Sequence, residues 1–131
     1  MTTDKATKEK IGIGHDFQMP AYAVVDPLLH VSMPPSVTAA TGMDALTHAI
    51  ESYVALKANP ISDGMALTAI RLIAENLRQA CANGENLAAR SNMALASLIA
   101  GVSFTNAGLG AVHGIAHPVG AQFGISHGAA N

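Results

Sequence analysis

After residue 35, apolar residues recur mostly at the spacing of an amphipathic helix. This pattern predicts three long helices, at about residues 36–55, 62–82 and 87–105. Pro34 and Pro35 precede the first helix, Pro60 ends it, and Ser62 or Asp63 can cap the second. The third helix is so rich in Ala and other small residues that we expect it to be central and closely packed.

The two ends of the chain have different patterns. Near the start, the run "AYAVVD" contains β-branched residues and is the best strand prediction, at residues 21–25. Near the end, a short helix is predicted from about Leu109 to Pro118, followed by a Gly-rich loop. The predicted fold class is therefore mostly α, a helical bundle with a short strand segment at the N-terminus.

The composition indicates one buried core with an unusually apolar surface. Of the 131 residues, 50% are hydrophobic and only 12% are charged, against about 25% charged in a typical domain. One domain, or part of one, is the upper limit at this length. We expect part of the apolar surface to face further chain or a second copy in a homo-oligomer.

Charge and cysteine content narrow the function classes. The formal net charge is −2 and the chain has no run of Lys or Arg, which argues against nucleic acid or an anionic membrane as a partner. Cys81 is the single cysteine, which excludes an intrachain disulfide and favours a small buried hydrophobe over a nucleophile. No apolar run approaches about 18 residues and the polar start lacks a signal-peptide core. We expect a soluble, cytoplasmic protein.

Histidines and one aspartate form the candidate chemistry. Asp44 and His48 are four residues apart, which places both on one helix face about 6 Å apart. His113 and His117 repeat this spacing, and His127 follows in "GISHGAAN". Each pair alone is commonly a surface contact or a chance occurrence. Their apolar surroundings favour a metal site, because one Asp oxygen and three neutral imidazoles suit a divalent first-row metal and leave a position for a substrate oxygen.

Other residues are weaker candidates. His15 and His30 have no partner at ligand spacing, which favours local hydrogen bonding. Glu51, one turn beyond His48, could orient a ligand, although a solvent-facing carboxylate is the preferred interpretation. The glycines between residues 108 and 128 do not form a dinucleotide fingerprint, because no strand precedes them and their spacing differs.

Two long segments resemble a known family. The segments "DPLLHVSMPPSVTAATGMDALTHAIESYV" and "GLGAVHGIAHPVGAQFGISHGAAN" are similar to the signature regions of the iron-containing (group III) alcohol dehydrogenases, especially the lactaldehyde reductase and butanol dehydrogenase branch. The resemblance extends from about Lys8 to Asn131. Dehydroquinate synthases and glycerol dehydrogenases share this architecture and use zinc. However, the segments "GMDALTHAIE" and "HGIAHPVG" resemble the alcohol dehydrogenases more closely.

The resemblance implies roles for individual residues. The implied metal ligands, for Fe²⁺ or Zn²⁺, are Asp44, His48, His113 and His127. His117 lies beside the substrate in this comparison, as a candidate for proton transfer. The resemblance also matches Phe104 and Asn106 to a substrate-pocket segment, and Lys10 to a lysine near the nicotinamide of NAD(P).

The family also implies a domain organisation and an activity. Its members are longer and have a dinucleotide-binding domain before a helical metal domain. Residues 1–33 would end the first domain and residues 34–131 would form part of the second. The implied activity is hydride transfer between NAD(P) and a small primary alcohol, diol or aldehyde, with the metal polarising the substrate oxygen. Because the cofactor loop is missing, the fragment alone would be inactive. The alternative is a truncated, non-catalytic metal-binding helical module.

Overall fold

The computed structural model describes residues 2–4, 6–7, 10–12, 15 and 20–131. Its regular elements in this part of the chain are a strand pair, β1 (Thr2–Thr3) and β2 (Lys10–Ile11), and the helices α1 (Pro35–Val54), α2 (Pro60–Ala82), α3 (Leu87–Ala107), α4 (Ala111–Phe123) and α5 (His127–Ala130). The two strands are antiparallel, with Thr2 opposite Ile11. The predicted fold class, a mostly helical bundle, is confirmed.

The predicted strand at residues 21–25 is wrong. These residues are exposed and have no strand partner among the described residues, with Tyr22 and Val24 89% and 92% exposed. A strand needs a neighbour to accept its backbone hydrogen bonds, and β-branched composition alone does not supply one. A short 3₁₀ turn (Pro27–His30) follows and contacts α3.

The predicted long helices are present, with corrections at their ends. Pro60 begins α2 instead of ending α1, which stops at Val54. The cap of α2 is Asn59, not Ser62 or Asp63. The Asn59 side chain accepts from the backbone N–H of Ser62, and the Ser62 hydroxyl accepts from the N–H of Asn59. This reciprocal arrangement is a capping box, in which a proline at the first helical position loses no helical hydrogen bond.

The C-terminal prediction also needs correction. Helix α4 does not end at Pro118 but continues through it to Phe123, because a proline removes one backbone donor without always breaking a packed helix. The helix ends where Gly124 adopts a left-handed conformation, with φ of 68°. His127 lies at the start of α5 instead of in a loop.

Helices α1, α2 and α3 pack against one another and form the core. Every buried hydrophobic residue in the described part of the chain is an alanine, except Ile73. In one layer Ala49, Ala69 and Ala100, from the three helices, are all fully buried. Small side chains let helix backbones approach closely, which fixes the position of α1 relative to its neighbours. The prediction of a central, closely packed α3 is confirmed.

Buried polar contacts join the same helices. The Ser103 hydroxyl of α3 lies 2.9 Å from the Ser52 hydroxyl of α1 and donates to the backbone carbonyl of Ser62 in α2. Arg90, 2% exposed, donates to the carbonyls of Gly84 and Met33 and to the Thr38 hydroxyl. These bonds hold the N-terminal part of α1 against the start of α3.

A narrow alanine core leaves many larger apolar side chains outside. Leu56 and Ile61, near the α1–α2 connection, are exposed, as are Leu29 and Phe123. By length and composition α3 could cross a membrane, contrary to the expectation from the sequence. However, it contacts both α1 and α2 and carries the buried Arg90, and core helices of soluble proteins meet the same criterion.

Candidate metal centre

One face of α1 carries three polar side chains. Asp44, His48 and Glu51 occupy positions i, i+4 and i+7, which recur on the same side of a helix. Asp44 and His48 are partly buried, whereas Glu51 is only 5% exposed. Helix α5 packs on α1, and α4 packs on α5. The polar face of α1 is therefore covered by the histidine-rich end of the chain.

The tertiary structure brings Asp44, His48, His113 and His127 together. One potential ligand atom from each lies within 4.8 Å of every other. The Asp44 Oδ1 atom is 3.7 Å from His48 Nε2, 3.4 Å from His113 Nε2 and 3.6 Å from His127 Nε2. Ligand atoms of a tetrahedral metal, at about 2.1 Å from the ion, stand about 3.4 Å apart. The spacing and the donor types both fit a divalent transition metal.

Ring contacts fix the orientation of the imidazoles. His48 stacks between Phe104 and His113, with centroid distances of 4.5 Å on each side. Burial lowers the pKa of His48, and the neighbouring His113 and His127 lower it further against the opposing effect of Asp44. The neutral imidazole is thereby favoured, and it is the form that can donate a lone pair to a metal.

Glu51 is buried against His113 instead of facing solvent, so the preferred interpretation from the sequence is wrong. Its Oε2 atom is 2.5 Å from His113 Nδ1, and its Oε1 atom accepts from the Val112 backbone N–H at 2.8 Å. Burial raises the pKa of Glu51, but the hydrogen bonds from His113, Val112 and Gly110 outweigh it and the net pKa is below the ordinary value. The carboxylate is therefore charged at neutral pH.

Asn131 is a site residue that sequence reasoning missed. Its amide nitrogen contacts Asp44 Oδ1 and lies 3.3 Å from His113 Nε2 and 3.4 Å from His127 Nε2. Its Oδ1 atom is buried and has no hydrogen-bond partner among the described residues. The only available signal was its position four residues after His127, directly after the end of α5.

The remaining candidate residues have different environments. His117 is partly buried and stacks on His127 at 5.1 Å, beside the four donors instead of among them. The Asn106 amide is exposed and donates to the Val102 carbonyl of its own helix. The backbone of Lys10 lies in β2, but its side chain is outside the described residues. Roles for these three residues stay predictions.

Comparison with known proteins identifies similar sequences. The model of the C-terminal part of the Fe-containing alcohol dehydrogenase family matches residues 38–131. The chain is 54% identical over 129 residues to a 1,3-propanediol dehydrogenase of Klebsiella pneumoniae, covering 98% of this chain and 33% of that protein. The chain spans about a third of the length of the curated relatives it matches.

Solved structures agree with this similarity. A halo-thermophilic archaeal alcohol dehydrogenase from a Red Sea brine pool matches with a TM-score of 0.93 and 38% identity, over 98% of this chain and 32% of that one. A sulfoacetaldehyde reductase of Bifidobacterium kashiwanohense, in complex with NAD⁺, matches with a TM-score of 0.91 and 40% identity, over 98% and 34%.

Proposed function

Because the chain belongs to the iron-containing alcohol dehydrogenase family, a family of oxidoreductases, we propose that it forms the metal-holding part of an NAD(P)-dependent enzyme that interconverts small alcohols or diols with aldehydes. Four donor atoms from three helices, all within 4.8 Å of one another, carry this proposal. An Asp oxygen and the lone pairs of imidazoles all present negative potential to the same point, which a cation would satisfy in place of the Asn131 amide nitrogen that contacts these atoms.

Asp44, His48, His113 and His127 would hold the metal, Fe²⁺ or Zn²⁺. When bound, such a metal supplies a Lewis acid that polarises a substrate oxygen, and a nicotinamide cofactor supplies or accepts the hydride. The protein's part is to hold the donors in place and to keep the His48 imidazole neutral. The rings of Phe104 and His113 do this for His48 by covering both of its faces.

His117 would move the proton. It follows His113 by one helical turn, and its ring is partly buried against His127 without being one of the four donors. An imidazole near the metal site but outside its ligand set can exchange a proton with a substrate hydroxyl. Phe104 would line the substrate pocket beside His48. Asn106, two residues farther along the same helix, would belong to the same pocket segment.

The remaining parts of the proposal concern cofactor, domains and partners. Residues 1–33 would end a nucleotide-binding domain, with Lys10 near the nicotinamide, and residues 34–131 would belong to the helical domain. The match of the family model from residue 38 and the start of α1 at Pro35 support this boundary. The NAD⁺-bound relative supports the cofactor class. Exposed apolar residues such as Leu56 support a homo-oligomer, and the single cysteine is compatible with the cytoplasm.

The first test is bound metal in the purified chain. Elemental analysis should find about one equivalent of iron or zinc per chain, and Asp44→Ala and His113→Ala should each lose it. His30→Ala is the matched control, because His30 lies in the 3₁₀ turn outside the donor cluster and its loss should leave the metal content unchanged. Stoichiometric metal in the first two variants would refute the ligand assignment.

A titration with NADH on the same sample tests the cofactor part separately. Metal without NADH binding would mean that the described helices hold the metal and that nucleotide binding requires further protein. An absence of metal in the wild-type chain would mean that this segment does not hold the ion by itself, which contradicts the proposal.

A further inference from the structure

Glu51 is a buried carboxylate that the proposed ligand set does not use. It is 5% exposed, and its one ion-pair partner within the described residues is the imidazole of His113. No Lys or Arg of the described part of the chain forms an ion pair with it. A buried charge is costly unless hydrogen bonds satisfy it, so the contacts of Glu51 must offset this cost.

The two oxygens of Glu51 have separate partners. Oε2 is 2.5 Å from His113 Nδ1. Because an ionised carboxylate can only accept, His113 Nδ1 must carry a hydrogen, and in the neutral imidazole Nε2 then keeps its lone pair. His113 Nε2 is the atom 3.4 Å from Asp44 Oδ1, in the donor cluster. Glu51 thus selects the tautomer in which His113 can bind a metal, and it aims the ring.

The second oxygen holds the helix that carries His113. Gly110, the residue before α4, has no side chain that could cap the helix. Instead, Glu51 Oε1 accepts a hydrogen bond from the Val112 N–H in the first turn. A free N–H group at this end of a helix needs such an acceptor. Since Glu51 lies one turn beyond His48, one carboxylate joins the α1 ligands to the helix of the α4 ligand.

Gly110 makes this approach possible. A Cβ atom at residue 110 would stand 2.9 Å from Glu51 Oε1, closer than real Cβ atoms come to their neighbours. Because glycine has no Cβ atom, it leaves room for the Glu51 carboxylate at this position. Its backbone φ of −123° is accessible to any residue, so close approach, not conformation, explains the requirement.

We propose that Glu51 is a positioning residue of the metal centre, which fixes the His113 tautomer and docks the first turn of α4 on α1. This inference rests on the proposed function, because it assumes that His113 is a ligand. It predicts that Glu51 variants lose metal affinity although no ligand has been changed.

The test compares Glu51→Gln with wild type, using Co²⁺ as a spectroscopic probe and Zn²⁺ in competition. The Gln carbonyl can still accept from Val112, but its amide would then donate toward His113 Nδ1 and favour the wrong tautomer. We expect the affinity for Co²⁺ to fall about 10- to 100-fold, with helix content unchanged. Glu75→Gln is the matched control, since Glu75 is an exposed helical carboxylate paired with Arg71 at 3.4 Å.

Nitrogen NMR of the metal-free chain provides a second readout. His113 should carry its hydrogen on Nδ1 in wild type and on Nε2 in Glu51→Gln, a change that a merely structural role would not produce. If Glu51→Gln does not fold, Gly110→Ala replaces it, because the added methyl displaces the same carboxylate without removing its charge.

The outcomes separate the two proposals. Equal Co²⁺ affinity and an unchanged tautomer in a folded variant would overturn the role of Glu51 and leave the metal site intact. If wild type binds neither ion, the proposed function fails for this chain, and the metal-free tautomer measurement still decides whether Glu51 sets the orientation of His113.

Discussion

Gly128, the residue after the proposed ligand His127, offers a test of the metal centre that leaves all four ligands unchanged. Helix α5 packs directly on α1 at this point. A Cβ atom at residue 128 would stand 2.5 Å from the carbonyl carbon and 3.2 Å from the Cα of Ala40, and would overlap the carbonyl oxygen. Because these are backbone atoms of a long helix, they cannot move aside as a flexible side chain could.

The required displacement follows from these distances. Ordinary contact begins at 3.4 Å, so α5 would have to retreat by about 1 Å. His127 Nε2 would move away from Asp44 Oδ1, from which it is now 3.6 Å distant. Metal–ligand bonds tolerate changes in length of about 0.2 Å, so His127 would be lost as a ligand or held under strain. We expect Gly128→Ala to reduce Zn²⁺ affinity by about 100-fold or more.

Calorimetric titration with Zn²⁺ measures this effect, and Gly114→Ala is the matched control. Gly114 also follows a proposed ligand, His113, but a Cβ at residue 114 would meet no atom within 4 Å. This variant should bind Zn²⁺ as wild type does and gain up to about 1 kcal/mol of stability from helix propensity. Wild-type affinity in Gly128→Ala would refute the reasoning, because it would mean that α5 does not set the position of a ligand.

Three further predictions concern the buried polar groups. Arg90→Lys should lower the free energy of unfolding by about 3 kcal/mol, because one ammonium group cannot reach all three acceptors of the guanidinium; chemical denaturation should show it, and a change below about 0.5 kcal/mol would contradict the importance of these bonds. Ser103→Ala should cost about 1–2 kcal/mol in the same assay, since it removes a buried hydroxyl that hydrogen-bonds to the Ser62 carbonyl and the Ser52 hydroxyl, and an unchanged midpoint would argue against these contacts. The pKa of Glu51 is lowered in the folded chain, so its carboxylate stabilises the metal-free protein above the ordinary pKa of 4.5, and this contribution is lost as the pH falls through the lowered value. The stability difference between wild type and Glu51→Gln should therefore shrink in denaturation experiments below pH 4.5, and a constant difference down to pH 3 would contradict the lowered pKa.

Local sequence patterns were sufficient for the helices and for part of the site. The apolar period of 3.6 residues located α1, α2 and α3 to within a few residues, because each buries a stripe of small side chains against the other two. The four-residue spacing of Asp44 and His48 placed both on one face of α1 by helix geometry alone. The predicted helix boundaries were wrong where one residue type is compatible with two positions. Pro60 is an example, because a proline can follow the end of one helix or begin the next.

Other features depended on contacts between distant residues. The segment at residues 21–25 has strand-like composition, but no described neighbour pairs with it, so it stays irregular and exposed. Glu51 looked like a solvent-facing residue in its own helix, and it became buried only because α4 packs over it and supplies His113 and the Val112 N–H. The amide of Asn131 likewise reaches the donors only through the packing of α5 on α1.

By itself, the sequence determined which segments are helical and which residue types could bind a metal, because both follow from spacing within one helix. The tertiary structure decided which of these residues meet. Asp44 and His113 are far apart in the chain, and their atoms come within 3.4 Å only because an alanine-lined core lets α1 pack closely enough for α4 and α5 to cover its polar face. The physical reason is that the spacing of residues along one helix determines only the direction in which each side chain points from that helix axis. The distance between two helices depends instead on the side chains packed between them.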